Sequence, residues 1–169
     1  MTIKKARELS INTPQRVLKV ALMVDPEDSD LKRVLEKVPI DILQLHGTES
    51  PSRVYNIKRN TGLSVMKAIG VSTKSDLERV DEYARVADQI LLDAKPPIGS
   101  AVPGGLGKSF DWGILKGVKL SKPWFLAGGL NSKNLKDAIK FTGATKFDVS
   151  SGVEDAFGKK TEKKIYEEI

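Results

Sequence analysis

The feature that most constrains the fold is a regular alternation of short apolar runs with longer stretches of helical periodicity. The apolar runs cover residues 17–24, 41–45, 64–69, 89–93, 123–127 and 146–150, and the helical stretches cover residues 3–11, 29–37, 51–60, 74–84, 111–115, 132–141 and 162–168. Short apolar runs are typical of strands buried on both faces of a parallel sheet, and their alternation with helices indicates βαβ units. The sequence therefore predicts a single α/β domain over residues 1–169, with six parallel strands closed as a barrel or open as a doubly wound sheet.

Two of the predicted strands end in turns that contain glycine and small residues. One turn is Ala127-Gly128-Gly129-Leu130, and the other is Ser150-Ser151-Gly152-Val153. Glycine allows backbone N–H groups to approach an anion closely, and a helix is expected after each turn, with Asn131 or Ser132 as the N-cap of the first. Consecutive turns of this kind form the phosphate site of many (β/α)₈ barrels. The pair predicts a phosphate-binding protein and favours an enzyme that acts on a sugar phosphate.

The composition restricts both the chemistry and the partners. The sequence has no cysteine, which excludes disulfides and thiolate sites, and one histidine, which suits no metal cage, so neither a metal nor a cofactor is expected. The net charge of +6 suits an anionic small molecule, whereas the aromatic content of 6% argues against a nucleic-acid partner. No apolar run approaches the roughly 20 residues of a membrane span, so we expect no membrane partner and a cytoplasmic location.

Two side chains at predicted strand ends are candidates for catalysis. Asp93 ends the run 89–93, and a carboxyl group at the end of a barrel strand can act as an acid if burial raises its pKa. A hydrogen-bonded loop aspartate is the alternative. His46 could orient the substrate or act as a base, or it could hold its own loop by hydrogen bonds. The glycine- and proline-rich stretch 95–107 is expected to be a long loop at the carboxyl end of a strand. The overlapping segment 104–112 resembles a phosphate-binding glycine loop without being a Walker motif, with a plain flexible turn as the alternative.

Two further carboxylates flank the last glycine turn. Asp148 lies within the sixth predicted strand, where its side chain either points into the barrel or forms a structural ion pair with Lys146 or Lys67, and the ion pair is the favoured interpretation. Glu154 is expected early in a helix, where a carboxylate complements the helix dipole. Neither residue is assigned to binding or catalysis.

Five short motifs follow one another along the sequence. They are Asp41-Ile42-Leu43-Gln44-Leu45-His46-Gly47-Thr48-Glu49, Leu91-Leu92-Asp93, Gly104-Gly105-Leu106-Gly107 with Phe110-Asp111-Trp112, Leu126-Ala127-Gly128-Gly129-Leu130, and Asp148-Val149-Ser150-Ser151-Gly152-Val153-Glu154. In this order they resemble the phosphoribosylanthranilate isomerase family of tryptophan biosynthesis, whose members are (β/α)₈ barrels. The resemblance spans essentially the whole sequence, from the family's second helix to its last.

The resemblance implies an aldose–ketose isomerase that needs neither metal nor coenzyme. The implied reaction is the Amadori rearrangement of N-(5′-phosphoribosyl)anthranilate to an open-chain ketose. Asp93 is implied to be the general acid that protonates the furanose ring oxygen, and a substrate-orienting role stays open for His46. The substrate phosphate is implied to bind backbone N–H groups around Gly107, Gly128, Gly129, Ser151 and Gly152.

Two segments of the family have no counterpart in this sequence. The family's general base is a cysteine in a Lys-x-Cys-Gly segment, and a Ser-Pro-Arg loop supplies an arginine for the substrate, but this sequence contains neither. The resemblance therefore implies an incomplete barrel without the first two strands. The loss of a general base typically lowers the reaction rate by a factor of about 10²–10⁴. Two sheet edges would then stay unpaired. The alternatives are an inactive phosphate-binding partial barrel and a partial barrel that forms homodimers through these edges.

Overall fold

Strands and helices alternate along the chain in the computed structural model, which describes residues 1–94, 112–156 and 158–168. The strands are β1 (Val20–Met23), β2 (Ile42–Leu45), β3 (Ser64–Val71), β4 (Gln89–Ala94), β5 (Trp124–Ala127), β6 (Glu154–Ala156) and β7 (Lys159–Lys160). The α-helices are α1 (Ile3–Asn12), α2 (Asp28–Leu35), α3 (Pro51–Thr61), α4 (Val80–Ala84), α5 (Leu135–Thr142) and α6 (Glu162–Glu168). Short 3₁₀ helices cover Lys74–Arg79, Trp112–Leu115 and Ser151–Val153.

The first five strands form one parallel sheet whose strand order follows the chain, β1-β2-β3-β4-β5. All four residues of β2 are buried, as expected for a strand covered on both faces. Because the strands run in the same direction, their carboxyl ends lie along one edge of the sheet. His46 follows β2 at this edge, and Asp93 on β4 lies opposite Ala127 on β5.

The two faces of the sheet carry different apolar clusters. On the face that we call the helix face, strand residues such as Leu43, Leu45 and Leu92 form the main core together with residues from the helices. On the opposite face, which we call the inner face, a smaller buried cluster consists of Ile42, Met66, Ala68, Leu91 and Ala127. The inner cluster forms an apolar floor, and the candidate functional residues lie beyond it towards the carboxyl ends of the strands.

Helix α3 shows how local sequence sets the helix bounds. Ser50 is the N-cap, and its hydroxyl accepts a hydrogen bond from the backbone N–H of Arg53 at 3.2 Å. Pro51 occupies the first turn, where its missing N–H costs nothing. Gly62 ends the helix in the left-handed conformation with φ +69°, which glycine adopts without strain.

The sixth predicted strand, residues 146–150, is reduced to a single bridge between Phe147 and Leu126. The backbone N–H of Asp148 donates to the Leu126 carbonyl at 2.8 Å, but at Ser150 the backbone leaves the extended conformation with φ −116° and ψ −81°. The chain continues through a 3₁₀ turn and the antiparallel hairpin β6–β7 before α6 begins. The parallel sheet of the described residues thus has five strands instead of six, and the hairpin was not predicted.

Three predicted helices also differ from the structure. Residues 74–84 divide into a 3₁₀ helix and α4, and Trp112–Leu115 is a 3₁₀ helix. Helix α5 begins at Leu135, later than the predicted start at residue 132, and Asn134 is the residue that precedes it. The predicted capping by Asn131 is nevertheless present one turn earlier, because its side-chain oxygen accepts the Lys133 N–H and its carbonyl accepts the Leu135 N–H, each at 3.0 Å.

Strand β1 lies at an edge of the sheet and presents apolar side chains to solvent. Val20, Leu22 and Val24 are 47%, 57% and 62% exposed. In the described residues β1 pairs only with β2. An exposed, apolar edge strand is a surface on which another strand can pair.

Candidate active site

Asp93 and His46 meet at the carboxyl edge of the sheet. The His46 Nε2 lies 3.2 Å from the Asp93 Oδ2, and the two side chains are 26% and 18% exposed. Strand β3 separates the strands that carry them, and Gly70, which lies opposite Asp93, places no side chain between them. The His46 backbone N–H donates to the Met23 carbonyl at 2.9 Å, which fixes the start of its loop. The structure therefore brings the two predicted catalytic candidates together.

Gln44 connects His46 to the inner face. It lies two residues before His46 on the same side of β2, and its side chain is buried. Its Oε1 is 3.4 Å from the His46 Nδ1, and its Nε2 is 3.5 Å from the Met66 Sδ. Gln44 belongs to the motif 41–49, but no role was predicted for it. Its position two residues before His46 on a predicted strand is the signal that could have revealed their shared face.

Asp148 approaches the same cluster from the segment that follows α5. Its half-buried carboxyl group lies near the side chains of Gln44, His46 and Asp93. Burial raises the pKa of Asp148 above its usual value, and the nearby Asp93 charge adds to this effect, while His46, Lys160 and Gln44 oppose it. Raised carboxyl pKa values in a cleft are typical of functional sites.

The predicted ion pair of Asp148 with Lys146 or Lys67 is wrong. Lys67 lies on the helix face of β3 and pairs with Glu49 at 2.8 Å. The Lys146 ammonium lies 5.4 Å from the centre of the Phe125 ring. Successive side chains of a strand point to opposite faces of the sheet, so Lys67 on the helix face cannot reach Asp148 on the inner face.

The two glycine turns pack directly against each other. A side chain at Gly152 would overlap the carbonyl of Leu130 and the backbone of Asn131, so only glycine allows this approach. Gly128 and Gly129 have φ values of +99° and +65°, which bend the chain sharply after β5. The close packing confirms the expectation that the two turns lie together, next to the strand ends that carry Asp93 and Asp148.

Backbone donors are available at this junction. In the described part of the chain, the N–H groups of Gly129, Ser151 and Gly152 have no protein acceptor, and all three residues are at least partly exposed. The Gly129 carbonyl is instead bound by the side-chain amides of Asn131 and Asn134, at 3.2 and 2.9 Å. Exposed N–H groups of neighbouring turns form a concave site that suits an anion.

Lys160 adds a positive charge beside the second turn. Its ammonium group donates to the Ser150 carbonyl at 2.9 Å and pairs with Glu154 at 3.0 Å. Glu154 begins β6 instead of a helix, so its predicted role at a helix dipole is wrong. The Gly158 N–H and then Lys160 hold the pKa of Glu154 below its usual value.

A buried ion pair supports the loops behind His46. Lys67 and Glu49 have side chains that are only 3% and 1% exposed. The Lys67 ammonium also donates to the Gly47 carbonyl at 2.8 Å, and the Glu49 carboxylate accepts the N–H groups of Asp25 and Gly47 at 2.8 and 3.1 Å. The pair therefore joins the loop after β1 to the loop that carries His46. This role was not predicted, although a lysine within the apolar run 64–69 was a signal for it.

The structure thus gathers most of the predicted site residues at one edge. Asp93 and His46 are in contact, and Gly128, Gly129, Ser151 and Gly152 form the neighbouring pair of turns. Gly107 lies outside the described residues, as does the glycine-rich stretch 95–107. No group of three or more metal-binding side chains occurs among the residues that the structure describes.

Comparison with known proteins gives a consistent result. A profile of the N-(5′phosphoribosyl)anthranilate (PRA) isomerase family matches residues 2–169. The protein of that name from Cereibacter sphaeroides is 50% identical over 165 residues, which cover 98% of this chain and 78% of the relative. The crystal structure from Thermotoga maritima has a TM-score of 0.84 at 34% identity and covers 99% of this chain and 78% of its own. A PRA isomerase complex with reduced 1-(o-carboxyphenylamino)-1-deoxyribulose 5-phosphate has a TM-score of 0.77 at 30% identity, with coverage of 99% and 77%.

Proposed function

The chain belongs to the phosphoribosylanthranilate isomerase family of tryptophan biosynthesis, and we propose that it binds the family's substrate at the carboxyl edge of its sheet. Its fold is an incomplete barrel of the TIM type. In the proposed arrangement, the two glycine turns bind the 5′-phosphate and Asp93 lies near the ribose ring. The observation that carries the proposal is the close packing of Gly152 against Leu130, which unites the two turns into one site.

The phosphate is bound mainly by the protein backbone in this proposal. The N–H groups of Gly129, Ser151 and Gly152 donate to its oxygens, and the Gly128 turn orients the first of these donors. Lys160 lies beside the turn and contributes an attractive positive field. Gly107, which the family resemblance also assigns to the phosphate, lies outside the described residues.

The acid step is assigned to Asp93. Its carboxyl group protonates the furanose ring oxygen, the bond between that oxygen and C1′ breaks, and the anilino nitrogen supplies the electron pair that forms the Schiff base. Removal of the C2′ proton then gives an enolamine, which becomes the ketone. His46 is proposed to orient Asp93 and the opening sugar, since its Nε2 is 3.2 Å from the Asp93 carboxyl oxygen.

A second function, phosphate binding without efficient turnover, is supported by one observation on this sequence. It contains no cysteine, so a thiol base of the family type is missing from these 169 residues, whereas the phosphate turns are present. We propose that this chain by itself binds substrate and product at the turns but rearranges the substrate slowly. The expected reduction is about 10²–10⁴ in rate for the missing base.

Replacing Gly129 by aspartate tests the proposed phosphate site. The added carboxylate stands at the anion site, and its repulsion of the phosphate should lower affinity for the reduced product analogue at least about tenfold, measured by isothermal titration calorimetry. Gly62→Asp is the matched control, because Gly62 has a similar φ of +69° and equally open surroundings at the far end of α3. The control should lose a similar amount of stability and keep its affinity. Equal affinities of both variants for the analogue would contradict the phosphate assignment.

We also propose that the chain forms homodimers through the β1 edge. Val20, Leu22 and Val24 form an exposed apolar stripe there, and the Thermotoga maritima relative is described as dimeric. Light scattering of the purified chain should give twice the mass of one copy, and Leu22→Lys should give the mass of one copy, because pairing would bury its charge. Ile139→Lys, which changes an exposed apolar residue on α5, should leave the dimer intact. Dissociation by Ile139→Lys alone would place the interface elsewhere.

A cytoplasmic location is part of the same proposal. The substrate and product are phosphorylated and charged, so they do not cross a membrane unaided. No helix within the described residues is both long enough and apolar enough for a transmembrane span.

A further inference from the structure

Lys67 contacts the backbone on both sides of His46. Its ammonium group donates to the Leu45 carbonyl at 3.2 Å and to the Gly47 carbonyl at 2.8 Å, and these residues come immediately before and after His46. We infer that Lys67 is a positioning residue for the isomerase reaction, which holds the His46 backbone so that the imidazole stays in contact with Asp93. The inference deepens the proposed function, and its meaning for catalysis rests on that function.

His46 depends on such support because it lies beyond the paired part of β2. Asp93 is paired within the sheet on both sides, with β3 and with β5. The pairing of β2 with β3 instead ends at Leu45 and Lys67, one residue before His46. On its other side, the His46 N–H donates to the Met23 carbonyl of β1, which is itself an edge strand. The Lys67 side chain therefore continues the contact between β2 and β3 beyond the end of their backbone pairing.

Three consecutive peptide groups around His46 are bound in this way. The peptide group that precedes His46 donates its N–H to a carbonyl of β1 at 2.9 Å, and its carbonyl accepts from Lys67. The N–H of the next group, that of Gly47, donates to the Glu49 carboxylate at 3.1 Å. The group that follows Gly47 accepts from Lys67 at its carbonyl and donates its N–H to Asp25 at 2.7 Å. Because Lys67 binds two of the three groups, its removal would release the His46 backbone on the side of β3.

The surroundings of Lys67 hold the ammonium group in this place. Its third hydrogen bond goes to the Glu49 carboxylate at 2.8 Å, so each of its three donors has an acceptor. The centre of the Tyr83 ring lies 5.6 Å from the ammonium, and the Tyr83 hydroxyl donates to the Glu49 carbonyl at 2.9 Å. Stability alone does not account for a charged pair here, because apolar residues of similar volume often make a buried site equally or more stable. Three directed hydrogen bonds, in contrast, fix the geometry of the backbone that they bind.

The ring signals of His46 test the inference without turnover. His46 is the only histidine, so its ring C–H signals in a ¹H–¹³C NMR spectrum of the histidine-labelled chain are unambiguous. Because the ring lies 3.2 Å from the Asp93 carboxyl oxygen, Asp93→Asn should move these signals at one fixed pH. In a Lys67→Met/Glu49→Gln background the same replacement should move them at most about half as far, because the ring no longer stays beside residue 93. If this background does not fold, Lys67→Met/Glu49→Met, which makes the pair apolar, replaces it.

Lys58→Met/Asp88→Asn is the matched control background. It changes another lysine–carboxylate pair, which joins α3 to the residue before β4 at 2.6 Å. There the response of the His46 signals to Asp93→Asn should keep its full size. A full response in the Lys67 background as well would overturn the inference. So would the absence of any response in the unaltered background, because the contact that Lys67 is inferred to hold would not exist.

The rearrangement rate then shows whether this positioning matters for catalysis. In single-turnover measurements, folded Lys67→Met/Glu49→Gln should be at least about tenfold slower, with its affinity for the reduced product analogue within about twofold, because a displacement of about 1 Å in an active site can cost about 10² in rate. In a His46→Ala background the two replacements should change the rate by no more than about twofold, since Lys67 acts through His46. An equal loss in both backgrounds would overturn the inference. A chain that neither binds the analogue nor rearranges the substrate, but shows the predicted ring response, would support the positioning role and contradict the proposed function.

Discussion

Replacing Lys67 by methionine should lower the free energy of unfolding by about 3–5 kcal/mol, the typical cost of removing one partner from a buried ion pair. The side chains of Lys67 and Glu49 are 3% and 1% exposed, so the remaining carboxylate of Glu49 would be left almost without solvent. Methionine is similar in length to lysine and fills most of the same space, so the lost charge dominates. Urea unfolding followed by circular dichroism measures the change.

Two controls show whether the loss arises from the buried charge. Lys5→Met removes a lysine from the exposed pair with Glu8, whose side chains are 54% and 56% exposed, and it should change stability by no more than about 0.5 kcal/mol. The double variant Lys67→Met/Glu49→Gln should recover part of the loss, because the new amide is neutral and still offers an oxygen to the N–H groups of Asp25 and Gly47. If Lys67→Met is no worse than Lys5→Met, the pair does not hold these loops.

Replacing Asp93 by asparagine should reduce the rearrangement rate by about 10²–10⁴ while the affinity for the product analogue stays nearly unchanged. Asparagine keeps the shape of the side chain but cannot give up a proton to the ring oxygen. Single-turnover measurements with excess protein are suitable, since they resolve slow rates in a chain that lacks the family's cysteine.

Asp88→Asn provides the matched control for this experiment. Asp88 precedes β4 at the opposite end of the strand, where it pairs with Lys58 at 2.6 Å and accepts the Val65 N–H at 3.0 Å. Its replacement should cost stability but leave the rate of the folded protein unchanged. A variant Asp93→Asn that rearranges substrate as fast as Asp88→Asn would remove Asp93 from the acid role.

Much of the fold could be predicted because its signals are local. The apolar run 89–93 corresponds to β4 within one residue, and the helical stretch 51–60 corresponds to α3 within one residue. The sixth strand could not be placed in this way. Whether residues 146–150 pair over their full length depends on the Ser150 backbone and on the hairpin that follows, and neither gives a periodic signal.

The candidate site was predictable to the extent that topology alone determines it. Because parallel strands end at one edge, the positions of Asp93, His46 and the glycine turns at predicted strand ends are enough to place them at that edge, where the structure also brings Asp93 and His46 into contact. The partners of buried charges were not predictable. Lys67 and Asp148 face opposite sides of the sheet, so they cannot form the predicted ion pair. The partner of Lys67 is Glu49, which lies in a loop that has no repeating sequence pattern.

The decisive question is whether the two turns bind one phosphoryl group together. A ¹H–¹⁵N NMR titration of the labelled chain with the reduced product analogue follows the amides of Gly129, Ser151 and Gly152 individually. A shared phosphate site predicts that all three signals shift along one binding curve with a single Kd, and that inorganic phosphate displaces the analogue from all of them. Shifts confined to one turn, or separate Kd values for the Gly129 turn and the Ser151–Gly152 turn, would contradict it.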